Sequence, residues 1–91
     1  MKLIFRVHAL QRMFEREISR DSVAQCIETG EVIEEYPADQ PTPSKLILGW
    51  VRGQPVHVVA SDDVLTGETI VITVYRPDTT RWHRDFKRRK A

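Results

Sequence analysis

A change of hydrophobic period at Gly30 constrains this chain more than any other feature. Before it, apolar residues recur three and four apart, as on a helix; from Glu31 they alternate, as on a strand. The organisation is therefore helices first and strands after. With 91 residues the chain is long enough for one domain, residues 1–91, whose core buries somewhat over ~60% of the unfolded surface. It divides into a helical part (1–30), an antiparallel sheet (31–76) and a basic C-terminal segment (77–91).

After a short apolar start at residues 3–5, residues 7–17 place Val7, Leu10, Met13 and Phe14 in one broad stripe, which predicts an amphipathic helix with that stripe inward. Ser19 is a good N-cap for a second helix running to about Thr29, with Val23, Ala24 and Ile27 inward and Gly30 as its stop. Residues 32–36, 45–51, 56–61 and 68–75 read as strands. Three prolines in residues 37–44 and the turns 52–55 and 62–67 separate them. Such short connections imply an antiparallel meander. Pro77 ends the last strand, and residues 78–88 are expected to form a short terminal helix. The expected fold is α+β, two N-terminal helices packed on one face of an antiparallel sheet of about four strands.

On the first helix, His8, Arg12 and Arg16 recur every fourth residue and lie largely opposite the apolar stripe. Three cation-capable groups in a column repel one another, so an anion is expected to compensate. One candidate is a phosphate. The other is a set of carboxylates from the same protein, Glu15, Glu17, Glu34, Glu35 or Asp39, tying the helices to the first strand. On the last strand, alternation puts Ile70, Ile72 and Val74 on a core face and Val71, Thr73 and Tyr75 on the other, where two hydroxyls would line a groove. His57 alternates with Val56 and Val58 and would share that polar face. The formal net charge of +1 conceals an asymmetry: six basic residues against Asp85 leave residues 81–91 at +5 and the remainder at −4. A basic end beside an acidic body suggests polyanion contact.

Several function classes are excluded. No Gly-rich phosphate loop, nucleophile elbow or His-Glu-x-x-His stretch is present, and His8, His57 and His83 are too scattered to read as a metal site, so no cofactor is expected. Cys26 is the only cysteine, which rules out an intramolecular disulfide and a thiolate metal cluster and agrees with a reducing compartment. It reads as a packed residue on the second helix. No apolar run approaches the ~20 residues of a membrane span, and the first five residues are too short for a signal-peptide core. The expected location is cytoplasmic.

The order His8…Arg12…Arg16-x-Ile18, Gly30 with residues 32–36, Gly53-x-Pro55-Val-His-Val-Val59, and Ile72-Thr-Val-Tyr75-x-Pro77-Asp with Trp82 beyond resembles the small bacterial domain-of-unknown-function family numbered 4258. The resemblance covers nearly the whole chain. It implies a bacterial protein whose relatives are often encoded beside small zinc-ribbon antitoxin-like proteins. Helices followed by an antiparallel sheet also resemble, at the level of fold, the compact ribonuclease toxins that include RelE and barnase.

A metal-free ribonuclease must take a proton from the ribose 2′-hydroxyl, stabilise a phosphorane and protonate the leaving 5′-oxygen. Histidine suits the proton steps and arginine the phosphate oxygens. On this reading His8 is general base or acid, Arg12 and Arg16 hold the scissile phosphate, and Thr73 or Tyr75 positions an oxygen across the groove. Trp82 and His83 would stack on a base, while Arg81, Arg84, Lys87 and Arg88 grip the flanking RNA backbone. The expected function is a toxin-like endoribonuclease with an antitoxin partner, and the alternative is a non-catalytic nucleic-acid-binding or protein-interaction module. Cleavage of RNA by the purified protein separates them.

Overall fold

The computed structural model describes residues 2–91. Seven elements follow one another: β1 (Lys2–Phe5), α1 (Val7–Arg16), α2 (Arg20–Thr29), β2 (Glu31–Tyr36), β3 (Ser44–Val51), β4 (Gln54–Asp63) and β5 (Glu68–Tyr75). The fold is α+β, as the period change at Gly30 predicts. The strands form one five-stranded sheet in the order β1-β5-β4-β3-β2. The strand count and the all-antiparallel expectation are both corrected by β1, which pairs parallel to β5 from Lys2↔Glu68 to Phe5↔Val71. The short apolar start is thus an edge strand, and its partner lies more than sixty residues away, beyond the reach of any local signal.

Both helices lie on one sheet face, α1 against β5 and α2 against β3 and β4. Ala9, Met13, Ile18, Val23 and Cys26 meet Ile47, Val56, Val58, Ala60, Val71 and Val74 in a single apolar layer. Local chemistry sets the helix ends. Ser19 accepts a hydrogen bond from the Ser22 amide at 3.1 Å and caps α2. The α1 terminus closes with Ile18 N–H on the Met13 carbonyl at 2.9 Å and Glu17 N–H on Phe14 at 3.3 Å, which places Glu17 at φ 56°. Gly30 ends α2 in extended backbone. Gly49 is needed where α2 crosses β3, because a Cβ there would sit 2.4 Å from the Cys26 sulfur and 3.0 Å from its Cα.

Two side-chain expectations are corrected. On α1 the inward residues are Ala9 and Met13, with Leu10 partly buried, whereas Val7 is 71% and Phe14 87% exposed. The sheet meets the helix one step round from the apolar stripe. On β5 the pairing runs Val59↔Thr73 and then Ala60↔Val71, leaving Ile72 without a partner. This β-bulge shifts the alternation, so Val71 joins Val74 in the helix-facing core in place of Ile70 and Ile72.

The expected helix over residues 78–88 does not form. Asp78 Oδ1 accepts from the amides of Thr80 at 2.9 Å and Arg81 at 3.1 Å, and Asp85 Oδ1 accepts from Lys87 N–H at 3.0 Å. Asx turns of this kind satisfy the backbone without a helix. The segment instead becomes a strap over the helix-free sheet face. Trp82, Leu46 and Leu48 are buried there, apart from the helix-facing core. Among the described residues no helix is long and apolar enough to cross a membrane.

Candidate functional site

The basic column of α1 is open. His8, Arg12 and Arg16 are all exposed, and among the described residues Arg12 alone of the three has an ionic partner, Glu15, at 3.4 Å. Glu34, expected as a helix partner, binds Arg89, and Asp39 accepts a hydrogen bond from Ser44. Of the expected carboxylates, Glu15 alone reaches the column, while Glu34 and Asp39 serve other elements. Exposed Val7 and Phe14 lie beside it, and with His8, Leu10, Gln11, Arg12 and Glu15 they line a shallow concavity on the outer surface of α1.

Thr73 and Tyr75 occupy the other side of the sheet. Their partners in register are Val59 and His57, and Tyr75 packs edge-on against His57 with centroids 5.2 Å apart. The core strands lie between these hydroxyls and α1, so the structure does not bring His8, Arg12, Arg16, Thr73 and Tyr75 around one groove. Trp82 is 3% exposed, with its ring edge-on to His57 at 4.5 Å. It is packed inward and unavailable to stack on a base. His83, Arg81, Arg84, Lys87 and Arg88 are exposed along the strap, where Lys87 pairs with Glu31 at 3.0 Å and Arg88 with Asp85 at 3.0 Å. Arg81 and Arg84 have no ion pair among the described residues.

The second cluster centres on His57, expected only to share the polar face of its strand. Its side chain is fully buried, yet both ring nitrogens are engaged. Nε2 lies 2.8 Å from the Phe86 carbonyl oxygen and must carry the proton; Nδ1, 3.2 Å from the Tyr75 hydroxyl, accepts from it. Burial pushes the imidazole pKa down, against the opposing effect of the Phe86 carbonyl, and holds the ring neutral. Burial also raises the Tyr75 phenol. At the rim, Tyr36 donates to Glu34 at 2.5 Å, and Arg89 clasps the same carboxylate through Nε at 3.0 Å and Nη2 at 3.2 Å. Hydrogen bonds from Arg89, then from Tyr36, hold the Glu34 carboxyl below its ordinary range. The Arg89 guanidinium stacks over Trp82 at 4.6 Å. A usable signal was present in the sequence: the near-continuous apolar runs 46–48 and 56–60 mean that both sheet faces are covered, so a histidine within the second run is buried on whichever face it takes.

The two clusters offer different chemistry. The α1 column presents cations to solvent, suited to a polyanion. The His57 cluster is an oriented proton donor and acceptor pair under a cover. No curated protein and no solved structure matches the chain. The model of a family described as Domain of unknown function (DUF4258) matches residues 5–76, and the chain belongs to that family.

Proposed function

We propose that the chain binds RNA through the α1 column and cleaves it without a metal ion, as a toxin-like ribonuclease. The observation that supports this reading is that His8 and Arg16 are exposed and lack an ionic partner among the described residues, on the same side of α1 as Arg12. An external phosphate chain relieves the repulsion within the column and releases counterions. Arg12 and Arg16 each present a planar fork to phosphate oxygens, and His8 takes or returns the proton of the ribose or leaving oxygen. Two helices followed by a largely antiparallel sheet resemble the RelE and barnase group of ribonuclease toxins. In a toxin the same cationic face, with Phe14 and Val7 exposed beside it, suits an antitoxin partner of zinc-ribbon type.

The position of Thr73 and Tyr75 on the far sheet face favours a second reading, a non-catalytic nucleic-acid-binding or protein-interaction module, because the hydroxyls that would complete the site do not stand beside His8. Incubation of the purified protein with RNA in chelator separates the two. Cleavage that falls about 10²–10⁴-fold in His8→Ala while binding persists supports the ribonuclease. Arg12→Ala and Arg16→Ala each weaken binding and flatten its salt slope by about 0.7. Binding without cleavage leaves the module, and absence of both removes RNA from the account.

A further inference from the structure

The strap is fastened to the sheet in an unusual way. Its backbone pairs only with itself: His83 N–H with the Arg88 carbonyl at 2.9 Å, Lys90 N–H with Arg81 at 2.8 Å, and Trp82 with Arg89 in an isolated bridge. Among the described residues, no backbone hydrogen bond joins it to a strand of the sheet. Attachment comes from the Trp82 side chain, from the edge-on Phe86–Trp50 contact, from the ion pairs Lys87–Glu31 and Arg89–Glu34, and from the His57 hydrogen bond to Phe86. The segment is a self-paired loop that can leave as a unit without breaking the sheet ladder. The match to the family ends at residue 76, just before the strap.

Beneath it, departure has a specific chemical effect. The His57 Nε2 loses its only partner, while Tyr75 keeps hold of Nδ1 and preserves the ring's orientation. Glu34 and Tyr36 remain at the rim, over a floor containing Leu46 and Leu48. With Nδ1 accepting from Tyr75, the opened Nε2 still carries its proton, so the ring presents an oriented N–H donor.

We propose that residues 78–90 are a separately opening cover, closed by Trp82 and by the Lys87–Glu31 and Arg89–Glu34 clasps, and that its opening presents the His57 Nε2–H as a hydrogen-bond donor to an oxygen acceptor of a ligand, in place of the Phe86 carbonyl. The proposal is independent of the RNA reading, since neither α1 nor RNA enters its test. In the Trp50→Phe protein, Trp82 is the sole tryptophan, and its emission is followed beside far-ultraviolet circular dichroism during urea unfolding. Trp82 is expected to leave first, with the smaller slope. Adding Arg89→Ala should lower the Trp82 midpoint and leave the dichroism midpoint in place. Coincident transitions that move together in both proteins would overturn the proposal, because the strap would then belong to the cooperative core. Hydrogen exchange on the unaltered chain provides a second reading: the His83 and Lys90 amides should exchange roughly tenfold or more faster than those of β4. Equal protection overturns the proposal as well. Modification of His57 by diethyl pyrocarbonate should accelerate about tenfold in Arg89→Ala, in step with the open population, and an unchanged rate counts against exposure of Nε2.

Discussion

The two faces of the sheet are covered by different means. On the helix side, Val23, Val56, Val58, Val71 and Val74 are all fully buried, and the layer needs only shape and area. Apolar burial is non-directional and is worth about 25 cal/mol per Å². On the strap side, closure depends on particular partners: His57 with Phe86 and Tyr75, Glu34 with Arg89 and Tyr36. Each such hydrogen bond contributes only about 0.5–1.5 kcal/mol net, but leaving a buried donor or acceptor unmet costs about 1–3 kcal/mol. Exposed clasps such as Lys87–Glu31 add about 0–1 kcal/mol each and weaken with salt. The helix face therefore carries the global stability. The strap face carries partner-specific interactions whose loss weakens closure without touching the helix-facing core.

The contrast can be broken most directly in the core. Ile47, 2% exposed in the helix-facing layer, is expected to cost about 2–5 kcal/mol as Ile47→Ala, and the loss should appear equally in every unfolding signal. An Ile47→Ala effect confined to tryptophan emission would mean that the layers are not divided in this way.

Acid tests the polar face. Burial lowers the His57 pKa in the folded state, so between the ordinary value of about 6.5 and the lower folded value the unfolded chain binds a proton that the folded chain refuses. Stability contributed by His57 is present above about pH 6.5 and is lost as pH falls through that window, with a slope of at most about 1.4 kcal/mol per pH unit for one proton. The depressed Glu34 pKa adds a loss of the same sign at lower pH, as its carboxylate becomes protonated. His57→Gln should abolish the slope in the upper window and leave the lower one. A wild-type curve that is flat from pH 7 to the Glu34 window would show that His57 is not held neutral.

What was legible in the sequence follows the range of the interaction that decides it. The Ser19 cap and the break at Gly30 are settled within four residues, and both ends of α2 fall where the sequence places them. The β1–β5 pairing, the bulge that strands Ile72 and the strap on His57 join residues far apart, and no local pattern fixes them. The column of His8, Arg12 and Arg16 was readable because helical spacing alone aligns it, but which side of the helix meets the sheet is set by packing, as exposed Val7 and Phe14 show. Its separation from Thr73 and Tyr75 was readable in principle too. Helices on one face and hydroxyls on the opposite face cannot share a groove. Trp82 misled for a different reason. A tryptophan among arginines reads as a nucleic-acid contact, but an uncovered floor of Leu46 and Leu48 claims a large apolar ring first.

The smallest expected effect separates the layers through backbone strain. Each carries one bulky residue in the left-handed region, Glu17 at φ 56° in the helix layer and Phe86 at φ 58° in the strap. That conformation costs a side-chain-bearing residue about 1–2 kcal/mol, while glycine adopts it freely but gives up about 0.5–1 kcal/mol of extra chain entropy on folding. Glu17 is exposed and has no ion pair among the described residues, so Glu17→Gly removes strain without removing a contact. It should raise global stability by about 0.5–1 kcal/mol, read as a higher urea midpoint in circular dichroism. Phe86→Gly relieves similar strain but removes the ring that meets Trp50 edge-on at 6.1 Å, so the strap should loosen while the sheet midpoint stays put. Opposite responses to the same relief would show that the helix layer is limited by its backbone and the strap by its contacts; a gain from both substitutions would mean that the Phe86 ring contributes little to closing the cover.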